Sequence, residues 1–369
     1  MDFRPGEEQA AAAALAARVF RDLSTPERLA AAGSGSDAEL WKALCDCGLV
    51  AAVEDTGLLG LVLVLEEQGR TTAQVPYAAT CAYGILPVAA HGSPEQRRRL
   101  LPALGTGEAV ATGAFPERGR VSAAPDGRLT GTVPWVPWLR DATHVLVPDA
   151  DRDLWLVRTD APGVAAEPVE TTAPWSAGRL TLSGAGAERL GGGRPDAYAS
   201  VLAAARTAFA GLQAGVCAGS LARAVEHTST REQFGRPLAA KQGVLLRAAD
   251  AHMDTEAIRV TAYEAAWRID EGLPADGHAL TAAWWASEAG KRVVHAGQHL
   301  HGGAGADLEH PVHRHFLWGR QLDAYLGCGS ELLAELGAHL ARPEDDPDRA
   351  DAPGCARTFR AGAAEGGRA

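Results

Sequence analysis

With 369 residues, 46% of them hydrophobic and 22% charged, the chain can bury a sizeable interior, which excludes wholesale disorder. The formal net charge is -11 and the basic residues are spread singly apart from Arg97, Arg98 and Arg99, a pattern that excludes a nucleic-acid footprint. Single cores stop growing near about 250 to 300 residues, so two or three packed units are expected.

No basic stretch leads into an apolar one after Met1, and no run approaches about 18 apolar residues. The expectation is a cytoplasmic protein without membrane insertion. Cys45, Cys47, Cys81, Cys217, Cys328 and Cys355 fall at no zinc or CxxC spacing, so free thiols are expected.

Residues 1–115 read as helices separated by turn residues. Leu40, Leu44 and Cys47 recur at helical spacing behind a cap-like Ser36-Asp37, and Ser93-Pro94-Glu95-Gln96 is a helix start. Residues 116–195 change texture. The turn signal Asp126-Gly127 precedes short runs rich in β-branched and apolar residues, at 143–147, 154–157 and 180–182, which predict an antiparallel β-domain. Gly191-Gly192-Gly193 is expected to act as a hinge. Residues 196–342 carry four long helical patterns. Leu202, Ala205, Phe209, Leu212, Val216 and Val225 mark the first, and Leu322, Leu326, Leu333, Leu336 and Leu340 the last, for which a four-helix bundle is the simplest burial solution. The polar, Gly/Pro-rich residues 343–369 are expected to be a disordered tail.

Two bundle segments are more specific than any composition. One is Arg231-Glu232-Gln233-Phe234-Gly235-Arg236-Pro237-Leu238 with Lys241-Gln242 behind it. The other is Gln298-His299-Leu300-His301-Gly302-Gly303-Ala304-Gly305, followed by Pro311 and His313-Arg314-His315-Phe316. Together they resemble the acyl-CoA dehydrogenase family over nearly the whole chain. The resemblance implies a mostly α fold with a central β-domain: an N-terminal helical domain, an antiparallel β-domain and a C-terminal four-helix bundle. It also implies an oxidoreductase of lipid metabolism acting on CH-CH groups, with FAD as cofactor, an acyl-CoA thioester as substrate and a separate electron acceptor.

A guanidinium at Arg231 suits a pyrophosphate through charge-assisted hydrogen bonds, and the resemblance assigns it to the FAD of a neighbouring subunit. The resemblance also puts Phe234 near the adenosine, makes Gln242 an amide donor and acceptor, and lets the backbone at Gly302-Gly303 approach the cofactor. His299 stands at the family's Gln position, with Gln298 one residue earlier. Trp135, in Leu129-Thr130-Gly131-Thr132-Val133-Pro134-Trp135-Val136, is similar to the family residue that flanks the flavin ring, although Pro137 replaces a threonine. The plainer alternatives are a surface arginine, a helix-terminating glycine pair and a core tryptophan. Six histidines lie between His295 and His315, and His295 and His299 are one helical turn apart. No Cys or carboxylate is spaced to complete a metal site, and none is expected.

Acyl-CoA dehydrogenation needs a base for the α-proton. Against the family pattern the two base positions read Cys328 and Ala205, the latter beside Arg206, and a thiol with a pKa near about 8.5 is a poor substitute at neutral pH. Glu331 reads as a helix-surface residue, and Val53-Glu54-Asp55-Thr56-Gly57 is a shortened form of a loop that in relatives shapes the acyl pocket. This pattern resembles the base-lacking subunits of heteromeric actinobacterial enzymes, with a second acyl-CoA dehydrogenase subunit as partner in an α2β2 assembly. A homo-oligomeric dehydrogenase, oxidase or oxygenase with a different base, and a non-enzymatic scaffold, are the alternatives. The adjacent Trp284 and Trp285 are expected either to offer one ring to an interface or both to the contact between bundle and β-domain.

Overall fold

The computed structural model describes residues 4–192 and 196–342. The tail expected at 343–369, and Gly193 of the hinge, lie outside the described residues.

The chain begins with α1 (Glu7–Leu23), α2 (Pro26–Ala32) and α3 (Ala38–Asp46). Short side chains set these starts. Thr25 accepts a hydrogen bond from the Arg28 N–H, and Asp37 accepts from the Leu40 N–H as the sequence predicts. Leu40 and Leu44 are buried while Cys47, the C-cap, is exposed. Next comes α4 (Val53–Thr71), kinked at Gly57, whose φ of 69° only glycine adopts without strain. The Asp270 carboxylate accepts from the Leu58 and Leu59 N–H groups at 2.8 and 2.9 Å, so it caps the second, longer part of α4. The segment 53–57, expected as a pocket-shaping loop, is thus the start of a helix pinned to the far end of the bundle. Helix α5 (Tyr77–Thr80) runs through a π turn into α6 (Leu86–His91), and α7 (Pro94–Gly105) starts with the capping box of Ser93 and Gln96.

The β-domain is two four-stranded sheets. Strands β1 (Ala111–Gly113), β4 (His144–Pro148), β5 (Leu154–Arg158) and β8 (Glu188–Arg189) form one, in the order β1-β4-β5-β8. Strands β2 (Val121–Ala123), β3 (Arg128–Val136), β7 (Gly178–Gly186) and β6 (Val164–Pro168) form the other, in the order β2-β3-β7-β6. All pairs are antiparallel except β1 with β4. Leu129, Val136, Val145, Val147, Val157, Leu180 and Leu182 fill the space between them.

The last unit has three long helices: α8 (Ala197–Thr230), α9 (Gln242–Asp270) and α10 (Asp276–His301). A hairpin of β9 (Glu232–Gln233) and β10 (Arg236–Pro237) links the first two. The fourth long helix expected from the leucine pattern is two short ones, α11 (Pro311–Leu322) and α12 (Gly329–Leu340), with Leu326 in the loop between them. That loop needs Gly327, at φ 124°. Leu333 and Leu340 are exposed, so the heptad-like spacing there marks only one buried leucine face.

One apolar core runs through the N-terminal helices and the bundle, from Phe20 and Leu61 to Phe209, Val294 and Trp318. It is continuous because α4 and α8 touch backbone to backbone. A Cβ at Gly215 would collide with the Glu66 carbonyl, and one at Gly69 with the Leu212 carbonyl. Beside this contact Glu66 is buried and accepts from Arg259 at 2.6 Å, Arg70 at 3.0 Å and the Tyr263 hydroxyl at 2.9 Å. Helix α8 is apolar and long enough to cross a bilayer by composition, but 89% of its most apolar window is buried in the protein, which makes it the core helix. Trp284 packs with Leu280, Leu332 and Leu336, and Trp285 against the main core, both only partly buried, so the two rings do not share one contact between bundle and β-domain.

Candidate active site and cofactor-binding residues

The sequence-predicted residues fall into two groups separated along α8. The first surrounds a cavity of about 240 Å³ between the β-domain and the bundle, lined among others by Phe115, Glu117, Arg118, Arg120, Trp135 and Tyr325. Strand β3 presents Trp135, half-buried, to this space, and its ring lies 5.3 Å from that of Tyr325. The loop between α11 and α12 carries Tyr325, whose hydroxyl meets that of Tyr83 at 2.8 Å and whose ring meets Phe209 edge-on at 4.8 Å. Tyr83 stacks on Phe115, and Phe115 on Tyr198. Burial pushes both paired phenols well above the ordinary tyrosine value, so they share a hydrogen bond as neutral groups. Aromatic side chains therefore occupy the interior behind Trp135. Trp138, at φ 51°, is a core residue stacked 4.4 Å from Trp175. Pro137 offers no N–H, and its carbonyl is taken by the Thr112 hydroxyl.

Neither position expected for a base carries a carboxylate. Cys328 is the N-cap of α12, its thiol 3.3 Å from the Ser330 hydroxyl. Glu331 accepts from the Cys328 N–H at 3.1 Å, so its carboxylate closes the capping box. Ala205 is fully buried. Arg206 beside it is bidentate to Glu335 at 2.8 and 2.7 Å and reaches the Leu326 carbonyl at 3.4 Å, which ties α12 and its loop to α8. Asp323 is buried, paired with Arg320 at 3.1 Å, and held above the usual carboxylate range by burial. The one carboxylate among the cavity-lining residues is Glu117, half-buried, which burial also shifts upward.

The second group lies where α8 and α10 end and α9 begins. Arg231 is the exposed C-cap of α8, its N–H donating to the His227 carbonyl at 2.9 Å. Phe234 sits at the hairpin tip, 91% exposed and at φ 58°, with the Lys241 ammonium 4.8 Å from its ring centre. Gln242 is the exposed first residue of α9. His299 points outward, while Gln298 donates to the Gly305 carbonyl at 3.1 Å and so closes the turn at 302–306. Gly302 stands at φ 61°, and a Cβ at Gly302 or Gly303 would meet nothing within 4 Å. That turn is open to a ligand. The first half of α9 adds Leu245, Leu246 and Met253, all more than half exposed.

The six clustered histidines are dispersed in use. His295 meets Phe316 edge-on, His299 is exposed, and His315 is buried between the Arg70 and Pro311 carbonyls, with a pKa that burial lowers to about 4. Among the described residues no three potential metal ligands converge.

From Phe209, whose ring packs on the cavity-lining Tyr325, to Arg231 the helix climbs 22 residues, or about 33 Å at 1.5 Å per residue. The two groups are that far apart within one chain. The sequence missed Tyr325 and Tyr83, which no motif marks and which meet only through tertiary packing, and it gave no sign that Arg206 ties α12 to α8.

The chain belongs to the acyl-CoA dehydrogenase family. Residues 6–108 match the family's N-terminal domain and residues 191–340 its C-terminal domain. Members are flavoprotein oxidoreductases that act on CH-CH groups of acyl-CoA thioesters. Acyl-CoA dehydrogenase FadE27 of Mycobacterium tuberculosis is 37% identical over 83% of this chain and 88% of that relative. Among solved structures, the Tcur3481-Tcur3483 steroid ACAD G363A variant is 40% identical, with a TM-score of 0.85 over 90% of this chain and 97% of that one. The ChsE4-ChsE5 complex from Mycobacterium tuberculosis is 34% identical, with a TM-score of 0.88 over 93% of this chain and all of that one.

Tested against FAD, the bundle end fits the diphosphate and adenosine part: an exposed guanidinium, an exposed aromatic ring and a glycine turn open to close backbone approach. The cavity fits less of it. Trp135 offers an aromatic face there, but aromatic rings fill the space behind.

Proposed function

We propose that this chain is the base-lacking subunit of a heteromeric acyl-CoA dehydrogenase and lends Arg231, Phe234, Gln242 and the Gly302-Gly303 turn to an FAD whose ring is seated in a different, base-bearing chain. One observation carries the reading. The residues suited to the cofactor's diphosphate stand about 33 Å along α8 from this chain's own cavity, so one bound FAD draws them from one subunit and its ring site from another. The cavity supports the same division, since its interior is occupied by the Tyr83-Tyr325 pair and neither expected base position carries a carboxylate. When bound, FAD takes up the hydride leaving the acyl β-carbon. The arginine neutralises diphosphate charge, and the glycine turn admits the cofactor's backbone contacts. Two of the similar solved structures are named as pairs of different proteins, and one is named a steroid enzyme, which favours a bulky steroid-like acyl-CoA as substrate of the assembly.

The test is co-expression with candidate glutamate-bearing family members, followed by flavin quantitation and dye-coupled assay over short, medium and steroid-like acyl-CoA thioesters. The expected result is that flavin and turnover appear together in the mixture and in neither chain alone. Turnover by the isolated chain at about 1 per second or more would overturn the reading. A second reading, an independent enzyme with its own base, is favoured by Glu117 at the cavity mouth. Under it the isolated chain turns over and Glu117→Gln abolishes that turnover.

A further inference from the structure

Beneath the open glycine turn three imidazoles are packed in series. His227 of α8 and His301 of α10 stack with ring centres 4.7 Å apart, and His301 meets His310, the N-cap of α11, edge-on at 4.8 Å. They come from three elements, and the His301 and His310 rings are hydrogen-bonded to backbone of the bundle end. The His227 carbonyl accepts the Arg231 N–H. His301 directly precedes Gly302, and its Nδ1 lies 2.7 Å from the Gly297 carbonyl, so Nδ1 carries the proton and donates. His310 Nδ1 accepts from the Val312 N–H at 3.2 Å, which it can do only while unprotonated at that atom.

We propose that His227, His301 and His310 form a proton-sensitive clasp that positions the Arg231 and Gly302-Gly303 segments for the cofactor, and that proton uptake opens it. The inference rests on the reading that this end of the bundle holds FAD. A proton on His310 Nδ1 removes the cap of α11 and points a donor at another donor. A proton on His301 places a cation against the His227 and His310 rings, and protons on both His301 and His310 oppose each other. The charged groups facing the rings add to this. Arg223 of α8 disfavours protonation of both His301 and His310, and Asp307 of the glycine turn is the opposing carboxylate, acting on His310. Burial, the largest cause, lowers the pKa of His301 and of His310 below the ordinary histidine value. The unfolded chain therefore binds these protons first. The clasp is complete above the ordinary value of about 6.5 and weakens as pH falls below it.

Hydrogen exchange of the full chain, followed by mass spectrometry between about pH 7.5 and pH 5 and corrected for intrinsic rates, tests this. Protection of the peptide spanning residues 302–310 is expected to fall at least about ten-fold across that range in the natural chain. The fall should be smaller in His310→Asn, which caps without titrating, and in His301→Phe, which keeps the stacking, and absent in the variant that carries both. Protection that does not change with pH in the natural chain, or that falls as far in the doubly substituted chain as in the natural one, would overturn the clasp. Flavin retention of the co-assembled enzyme, measured over the same range, separates the two ideas. If protection falls while flavin stays bound, the clasp stands and the assignment of this end to FAD is wrong.

Discussion

Arg231 and Tyr325 mark what a single residue can and cannot announce. Arg231 stands out in the sequence because a loop arginine two residues before Gln-Phe-Gly recurs as a motif, and the structure leaves its side chain exposed with no fold-building role of its own. Substituting it should therefore separate binding from stability. Arg231→Ala is expected to weaken FAD retention in the assembled enzyme by about 2 to 3 kcal/mol, roughly 30- to 150-fold, as for one charge-assisted hydrogen bond. Thermal unfolding of the isolated chain should be unchanged. Equilibrium dialysis with the flavin signal would check the first part, and calorimetry the second. Tyr325 was not legible. Its meaning lies in Tyr83, Phe209 and Trp135, which reach it from a π turn, a helix and a strand distant in sequence.

At the scale of elements, helix starts with local caps were readable and non-local ones were not. Ser93 and Asp37 stand three residues from the N–H groups they cap, so the signal is contained in the sequence window. The start of the long part of α4 is capped by Asp270, 212 residues from Leu58, and the same stretch read as a loop. Asp270→Ala leaves two N–H groups of α4 without this acceptor. It is expected to cost about 1 to 3 kcal/mol, seen as a lower urea midpoint with an unchanged slope. The last helix failed for a different reason. Leu322 and Leu326 keep the leucine spacing across a loop, and periodicity carries no record of the Gly327 conformation that breaks the helix.

At the scale of the whole molecule, the class was legible because two short segments of the bundle and the order of helical, β and helical texture agree. The separation of about 33 Å between Arg231 and Phe209 was not, since it emerges only when α8 is seen as one unbroken helix of 34 residues. The exposed leucines at the start of α9 belong to the Arg231 end. They lie on the first turns of α9 behind Gln242, so a partner seated on them reaches the residues proposed to hold the cofactor. Leu246→Asp is expected to shift the co-expressed assembly toward separate subunits on size-exclusion chromatography with light scattering, and to lower its flavin content in parallel. The isolated chain should keep its unfolding temperature within about 2 to 4 °C, since an exposed site changes little on folding.

The backbone contact of α4 with α8 has a consequence in time. Helix α4 ends at Thr71 and its partner begins at Ala197, with the entire β-domain between them. On a ribosome adding about 5 to 20 residues per second, the apolar face of α4 waits roughly 6 to 25 seconds for the helix that covers it. During that interval Val62, which lies against Gly211 of α8 in the folded chain, lacks its permanent cover. The early chain is thus a natural client for a holding chaperone, and slowing translation between residues 71 and 197 should lower the yield of native protein more than slowing it afterwards.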